Sequence, residues 1–370
     1  MQTAFDLTAI ATQDPRKTVY QTLQWGKNIF GLAHKNASTQ VGKALYPSNA
    51  VAEGQARPII DSTALAYLKM RYEALLDQDW NDAQAGFYTV DLLFDTPWDE
   101  VFRFYPAVWL DLPQLWRRAQ DKRYQEFAQE IDTSGYPKYY LQNFHYQTDG
   151  YLSDRSAELY DLQVELLFGG MAEPMRRRIL PLLKGCFAQD ALGRTQGAEH
   201  APKILDVACG TGRALRQLRT VFPKALLYGV DLSPTYLRKA NQLLSQTVGE
   251  LPQLLQANGE ALPYQNDYFD AVTSVFLFHE LPGTARQNVI NESYRVLQPG
   301  GTFVICDSIQ MNDSTELSPM MEGFASTFHE PYYKDYIHDD LTQRLQSAGF
   351  TNITCEAHYL SKYFTARKPR

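Results

Sequence analysis

The sequence predicts an α/β protein. Residues 200–370 should form an open, mostly parallel sheet covered by helices on both faces, preceded by a mainly helical region over residues 1–199. Three observations predict this. From residue 203 onward, short apolar runs alternate with segments of helical period. One such run enters the glycine-rich turn Ala208-Cys209-Gly210-Thr211-Gly212 just before a helical pattern. A tract of polar and small residues, 188–200, separates this rhythm from an upstream half of different composition and marks the boundary.

The upstream half holds all five tryptophans, Trp25, Trp80, Trp98, Trp109 and Trp116, and its tyrosines crowd residues 67–160. Large aromatic side chains bury much apolar area, so this half is not a disordered tail. Helical spacing of apolar residues predicts helices over 62–76, 112–131 and 156–168, with Asp61 or Ser62 capping the first and Ser153 the last. Gly86, Pro97, Pro106, Pro113, Gly135 and Pro137 mark loops and turns between them. Residues 20–35 read as an amphipathic helix, either docked on the protein's own surface or lying in a membrane interface. In the second half, strands are expected at 203–207, 225–230, 253–258, 270–278, 302–306, 352–357 and 359–366. Helices are expected at 212–221, 234–244, 284–297 and 339–348. Almost nothing separates the last two strands, which therefore form an antiparallel hairpin at the sheet edge.

Composition narrows the function. With 370 residues, 44% hydrophobic and 21% charged, the chain can bury a core without disulfides or metals. A net charge of −7 argues against a nucleic-acid partner, and Arg176, Arg177 and Arg178 are the one tight basic cluster. Cys186, Cys209, Cys306 and Cys355 include no C-x-x-C pair. That fits neither a disulfide framework nor a zinc site, so no metal is expected, and a reducing, cytoplasmic setting is. Residues 1–17 carry no apolar core flanked by basic residues, and no apolar run approaches the ~20 residues that span a bilayer. Contact with a membrane would be peripheral, and the oligomeric state is left open.

The chemistry concentrates in Lys203-Ile204-Leu205-Asp206-Val207-Ala208-Cys209-Gly210-Thr211-Gly212. Glycine lets the backbone bend tightly and approach a ligand without a Cβ in the way. Taken alone, this is equally a tight strand-to-helix turn. A dinucleotide is disfavoured, because the third small residue of G-x-G-x-x-G is Leu215 here. Asp206, just before the glycines, would also repel a pyrophosphate and attract an ammonium group. Asp231 ends the second strand, where a carboxylate either accepts the vicinal hydroxyls of a ribose or caps the next helix; Ser233 is an equally good cap. After the third strand, Asn258-Gly259-Glu260 offers an amide and backbone N–H groups to an adenine edge. Asp267–Val272 and Arg295–Phe303 complete the order: an entry to strand four, then a helix end, glycine turn and strand start.

In this order and spacing the five segments resemble the class I S-adenosylmethionine-dependent methyltransferase fold, Rossmann-like with a seven-stranded sheet, over about residues 202–367. The closest flavour is the ubiquinone/menaquinone-biosynthesis type. The resemblance implies S-adenosyl-L-methionine as cofactor. It places the methionine half on Asp206, Ala208, Gly210 and Gly212, the ribose on Asp231 and Leu232, and the adenine on Asn258, Gly259 and Glu260. Relatives usually carry Asp where this chain has Asn258. Just upstream, Ser156-Ala157-Glu158-Leu159-Tyr160-Asp161 resembles the helix that precedes the family's core. Tyr160 then reaches the amino-acid end of the cofactor or is a buried core tyrosine, and Arg176 or Arg177 meets a carboxylate or sits on a solvated helix face.

The acceptor should be a small, hydrophobic or aromatic molecule of quinol or phenol type. Residues 139–151 mix aromatic rings, amides and an imidazole, the composition of a small-molecule pocket, and His145, Tyr146 and Tyr151 are its candidates. The first half would thus serve as a lid. His279 and Glu280, expected at the end of strand four, are the candidate general bases if the acceptor enters protonated. A methyltransferase-like protein that senses the cofactor without turnover, or one acting on another metabolite or a protein, is the alternative.

Overall fold

The structure is a computed structural model describing residues 14–45, 61–95, 98–191, 201–246 and 248–370. The proposed boundary tract lies mostly outside these residues. The first half is helical: α1 (Pro15–Leu45), α2 (Ser62–Gln84), α3 (Trp98–Asp121), α4 (Asp154–Leu167), α5 (Ala172–Arg177) and α6 (Ile179–Ala191). Asp61 caps α2 by accepting the Ala64 N–H at 2.7 Å, and Ser153 caps α4 by accepting that of Ser156 at 3.1 Å. α1 docks on the protein itself, burying Tyr20, Gln24 and Gly31 and setting Trp25 against Tyr72, while Ile29 and Leu32 stay exposed. No helix among the described residues is long and apolar enough to cross a membrane.

The helix expected over 112–131 lies earlier, at Trp98–Asp121, and carries Pro106 and Pro113 inside it. An interior proline costs ~3 kcal/mol. Packing offsets that cost, because Phe104 and Val108 bury against Leu159 and Leu162 of α4. The helix stops at Lys122, whose φ of 52° is left-handed. Beyond it, the Glu126 and Ala128 N–H groups bond to the Asn143 and Asp149 side chains instead of to a helical carbonyl.

The second half is a seven-stranded sheet of order β3-β2-β1-β4-β5-β7-β6. It comprises β1 (Lys203–Val207), β2 (Leu226–Asp231), β3 (Gln253–Gln256), β4 (Phe269–Val275), β5 (Leu297–Ser308), β6 (Thr351–His358) and β7 (Ser361–Arg367). β7 alone runs antiparallel, between β5 and β6, which is the expected edge hairpin. The central strands are buried on both faces, as parallel strands covered by helices must be. Between and after them run α7 (Arg213–Val221), α8 (Pro234–Leu244), α9 (Gly283–Val296), α10 (Ser318–Phe328), α11 (Tyr333–Tyr336) and α12 (Leu341–Ser347). α10 and α11 form an insertion between β5 and β6 that periodicity did not reveal. The strand order reverses between β1 and β4, so a crevice opens at their carboxyl ends.

The two halves share one core: Tyr20, Tyr72, Met175 and Leu183 pack in the same apolar cluster as Ile204, Leu215, Val304 and Tyr363. A buried ion pair fastens the helices of the first half to one another. Arg177 donates to Asp79 through Nη2 at 2.7 Å and Nε at 3.1 Å, while the hydroxyls of Tyr20 and Tyr88 donate to the same carboxylate. The three basic residues of the arginine cluster are therefore neither solvated nor ligand-facing. Arg176 pairs with Glu173, and Arg178 with Asp82 and Glu356. Removing one partner of a buried pair leaves an uncompensated charge and costs ~3–5 kcal/mol. Asp79→Ala should lose about that much stability in urea unfolding. Adding Arg177→Met should restore a large part of it; a double variant as unstable as the single one would contradict the assignment.

Candidate functional site

The site begins where β1 turns into α7. Ala208, Gly210 and Gly212 all have left-handed φ, 58°, 52° and 83°, so the chain folds back on itself within five residues. A Cβ added at Gly210 would meet nothing within 4 Å, whereas one at Gly212 would press on Ala240 at 3.0 Å. Gly210 thus opens a bare stretch of backbone to the crevice, and Gly212 lets α7 approach α8. Asp231, at the end of β2, locks this turn. Its Oδ2 accepts the Gly210 N–H at 2.9 Å and its Oδ1 accepts the Ser233 N–H at 2.8 Å. Ser233 is the helix cap, accepting from Tyr236 N at 3.1 Å, so Asp231 is released from capping. Each carboxylate oxygen keeps a lone pair for a further donor. Burial pushes the Asp231 carboxyl up to about 6, against the pull of the Ser233, Gly210 and Leu232 amides.

A cleft runs from this turn along the strand ends. Its floor is Val207, Ala208, Gly210, Asp231 and Leu232, with Ala257, Asn258 and Gly259 at one end. Asn258 Oδ1 accepts the Glu260 N–H at 2.9 Å, which fixes its amide in the turn after β3. The opposite wall is aromatic: Tyr139, Tyr140, Phe144, Tyr151 and Tyr160 come from the first half, and Tyr236 and Phe276 from the second. The buried hydroxyl of Tyr140 has no hydrogen-bond partner. Sequence reading singled out the segment 139–151 but not Tyr140, which no local motif marks.

Glu280 lies at the aromatic end, in a single helical turn, Phe278–Glu280, beyond β4. Its Oε1 accepts the Tyr151 hydroxyl at 2.5 Å. Burial and the neighbouring Glu330 push its carboxyl up to about 7, against His279, His145 and the Tyr151 hydrogen bond. His279 is held differently. Its Nδ1 is 2.7 Å from Asp307 Oδ1 at the end of β5, and it lies behind the cleft wall. Burial opposes its charge, but Asp307, Glu330 and Glu280 outweigh burial and push the imidazolium up to about 9. A group protonated at neutral pH and committed to Asp307 is a poor general base. His279 is thus held by Asp307 away from the cleft lining, and Glu280 is the carboxylate on the wall.

Other expected positions also fall off the wall. Asp206 is buried beneath the turn, its Oδ1 accepting the Thr273 hydroxyl at 2.7 Å, and burial pushes it up to about 7. Its side chain alternates into the sheet while those of Leu205 and Val207 point to the other face. Gly212 serves helix packing, as above. Glu260 turns away to accept the hydroxyl of Tyr139 at 2.6 Å and the amide of Asn288 at 2.8 Å. Tyr146 packs on His329 and Tyr124 rather than on the cleft. His145 sits just behind Glu280, with Nε2 2.9 Å from Glu330 Oε1 and 3.9 Å from Glu280 Oε1.

The chain is similar to known methyltransferases. Residues 205–305 match the methyltransferase domain family. The chain is 28% identical to the ubiquinone/menaquinone biosynthesis C-methyltransferase of Stutzerimonas stutzeri over 217 residues, covering 54% of this chain and 79% of that one. It is 31% identical to an uncharacterized methyltransferase of Synechocystis over 151 residues, 41% of this chain and 68% of the relative. It is also 31% identical to the demethylmenaquinone methyltransferase of Thermotoga maritima over 186 residues, 50% and 69% of the two chains. Among solved structures, human N-acetylserotonin methyltransferase in complex with SAM is 15% identical, with a TM-score of 0.43 over 70% of this chain and 67% of that one.

The Asp231 carboxylate generates two expectations for binding of S-adenosylmethionine. Hydrogen bonds to a charged group contribute ~1.5–3 kcal/mol, so Asp231→Ala should weaken binding measured by calorimetry by about that amount. Hydroxyl donors favour the ionised carboxylate, so binding lowers the carboxyl's pKa. Affinity should therefore rise with pH as Asp231 ionises around 6, and level off above it. Asp231→Asn should lose that part of the dependence; a wild-type affinity that is flat from pH 5 to about 7 would remove Asp231 from the ligand.

Proposed function

Because this chain belongs to the class I S-adenosylmethionine-dependent methyltransferases, we propose that it methylates a small aromatic acceptor of quinol or phenol type in the cleft above β1 and β4. One observation carries the acceptor class. The cleft continues beyond the glycine turn into a wall of tyrosine and phenylalanine rings, a surface for a flat ring. Two relatives are named for ubiquinone or menaquinone chemistry, which supports the same class.

The residues divide the work along the cleft. Asp231 takes the two ribose hydroxyls on its remaining lone pairs, and the Gly210 backbone lies against the methionine half. Asn258 and Gly259 meet the adenine edge. The bare backbone at Gly210 and the spare acceptor sites of Asp231 suit that ligand. When bound, S-adenosylmethionine supplies an electrophilic methyl group on a sulfonium, already a good leaving group. The protein's remaining task is alignment, and orientation alone is worth ~7–11 kcal/mol in favourable cases. Tyr151, Tyr160 and Tyr236 pack edge to face, so the ring wall is stiff. Tyr140 offers its unpaired hydroxyl to a polar substituent of the acceptor, and the wall keeps water from the reacting centre.

Incubating the protein with cell extract and a labelled methyl donor tests the reading, with mass spectrometry identifying the labelled product. A labelled phenolic or quinol ring is expected; a labelled protein or an aliphatic amine would overturn it. With the acceptor known, Tyr140→Phe should raise its KM by up to about tenfold, the scale of one hydrogen bond, and leave cofactor affinity unchanged. An unaltered KM would separate Tyr140 from the acceptor.

A further inference from the structure

Behind the aromatic wall three ligating side chains converge from parts of the chain remote in sequence. His145 comes from the turn Phe144–Tyr146 of the first half, Glu280 from the turn after β4, and Glu330 from the insertion between α10 and α11. One atom of each lies within 4.8 Å of those of the other two. The closest pair, His145 Nε2 and Glu330 Oε1, is 2.9 Å apart. A single ion bound at ~2.0–2.2 Å to each donor needs them roughly 3–3.5 Å apart, which small side-chain rotations supply here.

The independent observation is Glu330. Its side chain is 0% exposed, yet neither carboxylate oxygen has a hydrogen-bond partner. The His145 imidazole forms an ion pair with Oε1, and Oε2 has no partner at all among the described residues. A buried carboxylate without a donor demands a compensating group. Two carboxylates face one imidazole and one hydroxyl, so the cluster holds more acceptor oxygens than donors. His279 is held by Asp307 and reaches only Glu280, at 4.0 Å, and the Tyr151 hydroxyl likewise satisfies only Glu280, so no described residue donates to Glu330 Oε2. A cation removes the deficit.

We propose that His145, Glu280 and Glu330 bind one divalent cation, with the open coordination positions turned toward the cleft to hold an oxygen of the acceptor. One imidazole and two carboxylates, without a thiolate, suit zinc, manganese or iron(II) rather than magnesium, which prefers oxygen and water. The site would join the first half, the sheet and the insertion through one ion. The role of the open positions rests on the acceptor reading; the ion site itself does not.

Cobalt(II) titration of the full chain tests it, because ligand-field bands report coordination by nitrogen and oxygen independently of turnover. One tightly bound ion per chain is expected, displaced by zinc and removed by a chelator. Glu330→Gln and His145→Gln should each weaken binding by more than about tenfold while S-adenosylmethionine binding is retained. Retained cofactor binding certifies the fold of each variant; should the Glu330 variant fail to fold, the more accessible His145 variant carries the test. Absence of a stoichiometric ion, or affinity unchanged in a folded variant, would overturn the site. Loss of S-adenosylmethionine binding in the wild type would instead strike the functional reading and leave the ion site standing.

Discussion

The site depends on one carboxylate. Asp231 ends β2, and its two oxygens accept backbone N–H groups from two different places: Gly210 in the turn after β1 and Ser233 at the start of α8. These bonds tie together the ends of adjacent parallel strands at the point where the crevice opens. They also orient the carboxylate, which lines the cleft with a lone pair left on each oxygen. The arrangement requires Ser233 to cap α8, since an Asp231 engaged in capping would leave the Gly210 turn unbraced. It requires a left-handed residue at 210, where any side chain would both strain the backbone and narrow the approach to the ligand. Burial raises the carboxyl toward neutrality, and the two amides hold it partly back.

A second group of buried charges does different work. Arg177, Asp79, Tyr20 and Tyr88 join α1, α2 and α5 in one hydrogen-bonded set, and the helices they fix carry the apolar side chains that merge with the sheet's own core. The aromatic wall over the cleft is an outgrowth of this fusion. Tyr151 bonds through its carbonyl to the Ser233 hydroxyl at 2.5 Å and through its own hydroxyl to Glu280. The same tyrosine therefore links the carboxylate brace, the first half and the polar cluster of His145, Glu280 and Glu330. Displacing the first half would open the cleft to water and separate His145 from the two glutamates.

What was legible in the sequence was local. The strands of the second half show as short apolar runs because both faces of the parallel sheet are buried, and the glycine turn and Asp231 sit at fixed offsets from them. β5 was expected from Thr302, yet it begins at Leu297, which pairs with Phe269; the chain then bulges through Gly300, whose φ is 82°, and pairing with β4 resumes at Thr302. Asp206 was assigned to the ligand from its place beside the glycines, whereas strand alternation turns it inward to Thr273. Pro106 and Pro113 read as breaks, but packing against α4 outweighs their cost. The arginine run looked solvated or ligand-facing because the acids that bury it, Asp79, Asp82 and Glu356, lie far away in sequence. The cluster of His145, Glu280 and Glu330 was invisible for the same reason: no spacing relates three segments that only the fold brings together.

The central claim is that a single cleft, floored by the Gly210–Asp231 brace and walled by the first half's rings, holds the cofactor at one end and the acceptor at the other. A crystal structure with S-adenosylhomocysteine tests it most directly. The account predicts both ribose hydroxyls on the Asp231 carboxylate, the adenine beside Asn258 and Gly259, and the sulfur facing the aromatic end that holds Tyr151 and Glu280. A ligand bound with its ribose away from Asp231, or with its sulfur pointing away from that wall, would contradict it.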